Sequence, residues 1–339
     1  MSFTSYLARR LGQNVLVIVA LSTFIFFIAR ILPGDPVRVA LGQHASEEQV
    51  QEMRREMGLN EPLYVQFFDW ASGMLQGDWG TALRTGNQVS QDIIVRLPAT
   101  LELVIVAMTF AVVLAIPFGM ISGINKDRWQ DHVSRITTLT GISMPRFWVA
   151  ILLQVVFVAW LGLFPLTGRI SPNLEAPPTI TGLYLIDSLV TGRWATFVDV
   201  AHHIVLPGFA LGLATLAQVT RLIRSEIIEQ QRKDYILAAN AWGMPANLIH
   251  YKYMLKNAFT SSLTILGLSF GFILGNAFLI EIIFSWPGFA RYGVDALLFQ
   301  DFNAIVGVVI VVGIAFVTAN LVVDILYGYL DPRVRYGGD

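Results

Sequence analysis

Arg146 is the ionisable residue set deepest within an apolar stretch of this chain. It lies about eleven residues into the run 136–164, roughly 16 Å along a helix axis and so near the middle of a hydrocarbon layer about 30 Å thick. A guanidinium at that depth must face protein or a water-filled path. Two roles are open to it: pairing with a substrate carboxylate, or pairing with a structural partner at a break in the helix. Met144 and Phe147 beside it, with Gln218 and Asn276 in later apolar runs, are the other candidates to line a substrate path. Ser143 shares the run, but a serine nucleophile needs a histidine base at similar depth. The five histidines, His44, His132, His202, His203 and His250, fall in loops or at run ends. No Gly-rich loop closing on Lys-Ser/Thr and no His-Glu-x-x-His string is present. The chain has no cysteine, which removes thiolate catalysis, disulfides and thiolate metal sites. These residues point to a path and away from an enzyme, with no cofactor or metal bound by this chain.

Helices must hold that path. Of the 339 residues, 55% are hydrophobic and 14% charged, against about a quarter charged in soluble domains. The apolar content is segmented into six runs, near 11–31, 100–123, 136–164, 203–222, 262–284 and 304–327. Each is long enough to span a bilayer as a helix, the one structure that satisfies its own backbone in lipid. The first run ends in Ala29-Arg30-Ile31, which offers no small-residue cleavage site, so it reads as an uncleaved span. The expected fold is all-α: one polytopic membrane domain over 1–339 with six transmembrane helices. Pro145 either kinks the third span or breaks it in two. With the N-terminus in the cytoplasm, the inside segments 1–10, 124–135, 221–260 and 328–339 carry 13 Lys and Arg in 74 residues, against 8 in 124 outside. The positive-inside rule favours that orientation, with both termini cytoplasmic. A net charge of −1 gives no sign of a nucleic-acid partner.

The outer loop 32–98 reads as folded. Ser46 and Gln49 form a capping box; Val50, Met53 and Met57 share a helix face, and Gly58 ends that helix. Pro62 opens a second helix presenting Phe67, Phe68 and Trp70. The loop is either a compact cap over the helix ends or a docking surface for an external substrate carrier. The loop 164–201, with Pro172, Pro177 and Pro178, is expected to be irregular. Glu102, Glu281 and Asp324 lie near span ends, within reach of the interface or a neighbour. Small residues recur four apart at Gly119/Gly123, Gly208/Gly212 and Gly267/Gly271/Gly275. That spacing lets helix backbones approach closely, within this chain or, for the ladder of three, across a subunit boundary.

The segment 223–260 joins the fourth and fifth spans. Residues 223–242 are helix formers, Gly243 is a helix stop, and Pro245 starts a second helix running to about Asn257 and into the fifth span. Ala238, Ala239 and Ala241 give the first helix a slim surface suited to a partner's groove. A stiff hairpin of this kind transmits a partner's motion to the spans as a rigid body; without a partner it would be a solvated charged hairpin.

The same segment resembles the EAA loop of binding-protein-dependent ABC importer permeases, within them the B-type permease of dipeptide and oligopeptide importers. The resemblance covers essentially the whole chain. It rests on Pro33-Gly34-Asp35-Pro36, Gly58-Leu59 with Pro62, and Pro98-Ala99-Thr100-Leu101-Glu102-Leu103. It continues through Ser143-Met144-Pro145 with Phe147-Trp148, Leu206-Pro207, and Glu281 with Ile283-Phe284-Ser285-Trp286-Pro287-Gly288. Asn320-Leu321, Val323-Asp324 and Asp331-Pro332-Arg333 close it. The resemblance implies a heteromer: a second permease chain, two ATP-binding subunits that carry ATP and magnesium, and an extracytoplasmic substrate-binding protein, set in the bacterial cytoplasmic membrane among lipid. It places the coupling helix at about Asp234–Tyr253, with Ala239 and Gly243 on motif positions. Asp234, Tyr235, Ala238, Ala241, Lys256 and Asn257 complete the implied coupling set. Leu237, Asn240, Trp242, Tyr253 and Ser261 depart from the residues usual there and make the docking surface more apolar. Substrates other than peptides fit the same scaffold, namely nickel, metallophores or glutathione. A stand-alone channel or carrier is the alternative outside it.

Overall fold

The computed structural model describes residues 3–31, 36–42, 45–56 and 58–330. Pro33-Gly34-Asp35, His44, Met57 and Asp331-Pro332-Arg333 lie outside the described residues, as do the side chains of Ser261 and Asp324. Among the described residues every regular element is helical.

Among the described residues five helices are long and apolar enough to cross a membrane, and a bent pair makes a sixth if it counts as one span. They are α1 (Phe3–Ile31), α5 (Val89–Ile124), α9 (Trp194–Gln230), α12 (Leu255–Ile283) and α14 (Phe302–Leu330). The pair is α6 (Trp129–Ser143) and α7 (Arg146–Leu153), the latter continued by a π-helical stretch Gln154–Trp160; the two halves meet at 109°. The third apolar run is therefore broken. Pro145 takes an extended conformation (ψ 135°), as a residue without an N–H and with a ring that crowds the preceding turn requires.

The bundle is centred on α5 packed along α9. Two of the glycine pairs explain the closeness. A Cβ on Gly119 or Gly123 would stand 2.7 Å from Cβ of Ile223 or Ile227, and one on Gly208 would stand 2.9 Å from Val106. Gly212 meets the backbone of Ala107. Both pairs thus serve packing within the chain, where backbone approach replaces the missing hydrophobic drive. The ladder divides: Gly271 receives the Phe316 ring of α14, while a Cβ on Gly275 would meet nothing.

In the 32–98 loop the described helix ends fall at the residues that mark them. After the short α2 (Pro36–Leu41), the Ser46 amide donates to Gln49 Oε1 (3.0 Å) and the Gln49 amide to Ser46 Oγ (3.3 Å), a capping box at the start of α3 (Glu47–Glu56). Gly58 stops α3 at φ +63°. Pro62 sits one position before α4 (Leu63–Leu75) as its cap. Phe67 and Trp70 lie on α1, with ring centroids 5.3 and 5.1 Å from Phe26; Phe68 points away and is exposed. The 164–201 stretch is less irregular than its prolines suggest: it contains α8 (Tyr184–Val190), and α9 already begins at Trp194. A further amphipathic helix, α13 (Phe289–Leu298), follows α12.

Candidate functional site

Residues 223–242 form two helices. The long α9 runs to Gln230, and α10 (Asp234–Ala241) starts after Lys233 in extended conformation. The break has no Gly or Pro to announce it, since Gln-Gln-Arg-Lys are good helix formers. Asp234 in the first turn of α10 favours the new start through the helix dipole, and Lys233 Nζ pairs back to Glu229 at 2.8 Å. That carboxylate holds the Lys233 ammonium above its ordinary range.

α10 ends as its sequence requires. Met244 N–H donates to Ala239 C=O (3.1 Å) and Gly243 N–H to Asn240 C=O (3.0 Å), a Schellman motif with Gly243 at φ +73°. Pro245 caps α11 (Ala246–Leu248), one position earlier than expected. The chain then runs through a π-helical stretch Ile249–Met254 straight into α12. Any load on α10 therefore acts on the base of a membrane span.

The faces of α10 are sharply divided. Ile236 and Ala239 are buried in one cluster with Ile249, Met254 and Ala258 below and with Ile223 and Ile227 of α9. Ala239 is thus an inward anchor and no part of an outer groove-filling surface; Ala238 is half-buried and Ala241 exposed. Tyr235 and Asn257 meet: Asn257 Nδ2 donates to Tyr235 Oη (2.9 Å), which donates to Gln230 Oε1 (2.5 Å). This chain of bonds clamps the end of α9, the start of α10 and the base of α12. Lys256 is exposed beside Asn257. On the outer side stand Leu237 (57% exposed), Trp242 (82%), Leu248 and Tyr251, an apolar face with no counterpart among the described residues.

Beneath this hairpin lies a second device that no local sequence pattern announces. Asp131 of α6, fully buried, accepts from Nε (2.5 Å) and Nη2 (2.7 Å) of Arg224 of α9, and from Ser122 Oγ (2.7 Å). It locks α6 to α9 at the α10 end. Ninety-three positions separate the pair in sequence, and no local spacing rule links residues so far apart.

The opposite end, carrying α8 and α13, brings together strings that lie far apart in sequence. Trp286, fully buried, donates its indole N–H to Ala99 C=O (2.9 Å). Thr100 Oγ1 donates to buried Glu281 (2.5 Å) and accepts from Phe289 N–H (2.7 Å). Glu281 also accepts from Arg291 N–H (2.7 Å). Glu102 accepts from Arg169 Nε (3.0 Å) and Nη2 (2.6 Å) and from Leu185 N–H (2.7 Å). Arg169 lies 3.6 Å from the Tyr184 ring centroid. In the adjoining turn burial works to raise the Asp187 carboxyl, but hydrogen bonds from the Thr181 hydroxyl and the amides of Thr181, Ile180 and Gly182 outweigh it and hold the group below the usual carboxylate range.

The path candidates do not form one constellation. Arg146 opens α7 at the break, half-buried, and its Nη1 is buried without a hydrogen-bond partner. Met144 lines a depression of about 560 Å³ at that break with Ser143, Pro145 and Trp148. Phe147 is exposed, and so are Gln218 on α9 and Asn276 on α12, whose Nδ2 donates to Phe272 C=O. Among the described residues no hydrogen bond or ion pair joins Arg146, Gln218 and Asn276.

The bundle thus carries a buried polar lattice at one end and a stiff apolar hairpin fused to a long helix at the other. Residues 115–336 match the binding-protein-dependent transport system inner membrane component, and residues 3–104 match the N-terminal membrane component of such systems. The chain belongs to this family. It is 40% identical over 338 residues to the probable D,D-dipeptide transport system permease protein DdpB of Escherichia coli, covering 100% of this chain and 99% of the relative. It is 39% identical over 332 residues to the dipeptide transport system permease protein DppB of Alkalihalophilus pseudofirmus, covering 98% and 99%. The glutathione transport system permease protein GsiC of Salmonella choleraesuis is similar at 31% over 332 residues, again covering 98% and 99%.

Proposed function

We propose that this chain forms half of the translocation path of an ATP-driven importer of dipeptides and oligopeptides in the bacterial cytoplasmic membrane. A second permease chain completes the path. Two ATP-binding subunits dock on the α10 hairpin from the cytoplasm and hydrolyse ATP there, and an extracytoplasmic binding protein delivers substrate at the α13 end. Both termini are cytoplasmic in this reading.

The observation that carries the proposal is the apolar outer face of Leu237, Trp242, Leu248 and Tyr251 on a hairpin continuous with α12. Exposed aromatic residues on a rigid support are what a partner's groove engages. Asp234, Ala238, Ala241 and Lys256 flank that contact, while Tyr235, Ala239, Gly243 and Asn257 hold it in shape. The complete importer in proteoliposomes, given ATP inside and labelled dipeptide with the binding protein outside, tests this. Leu237→Glu with Trp242→Glu is expected to abolish uptake while the chain accumulates and purifies normally. Uptake at the wild-type rate refutes the docking face.

The unpartnered Nη1 of Arg146 supports a role in receiving a peptide's carboxylate at the break between α6 and α7. Arg146→Gln is expected to slow uptake of free-acid dipeptides by about tenfold, the effect of one lost charge-assisted hydrogen bond, and to spare carboxamide-capped ones. Equal slowing of both refutes that role. Glutathione is the second reading, supported by the Salmonella relative, with the higher identity to dipeptide permeases favouring peptides.

A further inference from the structure

We propose that a groove between α5, α6 and α9 at the α10 end binds one membrane phospholipid whose headgroup carries an N–H or O–H donor, and that this lipid ties α6 to α9. The groove holds about 390 Å³. Its outer walls, Phe118 and Ile121 of α5 and Trp129 and Val133 of α6, are exposed apolar side chains. On a chain that crosses the membrane they are open to lipid. Trp129 sits at the first turn of α6, the depth at which an indole prefers the boundary between headgroups and hydrocarbon.

Acyl chains alone leave this groove incompletely satisfied, because two residues of its lining carry buried polar atoms without a partner. Thr220 is 1% exposed and lines the groove, and its Oγ1 has no hydrogen-bond partner. Gln130 Oε1, on the facing helix, is likewise buried and unpartnered. Two neighbouring hydroxyls are already satisfied: Thr137 donates to Val133 C=O (3.0 Å) and Thr138 to Ser134 C=O (2.8 Å). A hydroxyl and an amide oxygen left unpaired beside hydrocarbon are costly.

The two atoms ask for complementary things. The Thr220 hydroxyl has a proton to give, and an ester carbonyl of the lipid glycerol accepts it. Gln130 Oε1, nearer the membrane surface, accepts from a headgroup donor. An ethanolamine ammonium and a glycerol headgroup both provide one; a choline headgroup provides none. The buried Asp131–Arg224 pair closes the groove one helical turn beyond Thr220. The proposal rests on the chain crossing the membrane and on this face being left uncovered by the second permease chain; it is independent of the assignment of substrate and motor.

The test uses the full-length chain in nanodiscs of equal parts phosphatidylethanolamine, phosphatidylglycerol and phosphatidylcholine, followed by release and native mass spectrometry. One phosphatidylethanolamine or phosphatidylglycerol per chain is expected to survive release, with phosphatidylcholine at background. The two masses separate an ammonium donor from a hydroxyl donor. Thr220→Val with Gln130→Leu is expected to lower retention about tenfold, which is two ordinary hydrogen bonds. Val133→Trp, on an exposed wall away from both polar atoms, is expected to block the groove by filling it and does not depend on whether the first variant folds. Equal retention of phosphatidylcholine overturns the proposal. So does retention indifferent to all three substitutions, which marks ordinary surrounding lipid with water on the two polar atoms.

Discussion

At the α13 end of the bundle, Glu102, Asp187, Glu281 and Asp301 are all buried, and each is bonded by loop amides, hydroxyls or a guanidinium of the same chain. At the α10 end, Leu237, Trp242 and Tyr251 are exposed and meet no counterpart among the described residues. The buried carboxylates of the α13 end are closed on the chain itself, as Asp131 is by Arg224 at the other end; the α10 hairpin adds to its end a stiff support whose apolar groups are left open. The first arrangement makes a rigid frame, because a buried charge tolerates no loss of partner. The second makes a surface whose stability contribution is small in the isolated chain and whose value lies in a contact with something else. Stability and coupling should therefore separate by region when residues are changed.

The largest effect is expected in the frame. Arg169→Ala leaves Glu102 buried without its cation and should cost about 3–5 kcal/mol, read as loss of folded protein in detergent and as a lowered midpoint of thermal unfolding. A stable, fully active variant would break the contrast between the ends. A smaller effect is expected at the hinge of the hairpin. Gly243 adopts φ +73° in open space, where a Cβ would meet nothing. A side chain there is opposed by backbone strain alone, about 1–2 kcal/mol for an ordinary L-residue. Gly243→Val should accordingly uncouple ATP hydrolysis from uptake more than Gly243→Asp, since Asp tolerates this conformation better. The ratio of ATP hydrolysed to dipeptide moved checks it, and the reverse order would show that bulk or charge, and not strain, governs this turn.

Much of this division is legible in the chain before folding, for local reasons. Ser46 with Gln49, Gly58 and Gly243 mark helix ends because caps are made by neighbours in sequence. Pro145 marks the break in the third run for the same reason. The glycine pairs on α5 and α9 identify close packing but not the partner helix, which only the folded chain shows. What escaped is non-local. Asp131 with Arg224, and Glu102 with Arg169, are separated by 93 and 67 positions, and spacing rules reach only a few turns. The small side chain of Ala239 suits an outer, groove-filling surface, yet after the turn at Gln231–Lys233 it lies in the core. That turn runs against good helix propensity, with Asp234 favouring the new helix start. The strings Pro98–Leu103 and Glu281–Gly288 are recognisable separately, but their meeting through Trp286, Thr100 and Glu281 is a property of the fold.

The chain has no native cysteine, which permits a direct test of the central claim that the α10 hairpin is a cytoplasmic docking face. Trp242→Cys is labelled with a membrane-impermeant maleimide, in right-side-out and inside-out vesicles, with and without the ATP-binding subunits. The account predicts labelling from the cytoplasmic side alone, and protection once those subunits are present. Labelling from the external side, or labelling that the subunits leave unchanged, would contradict it.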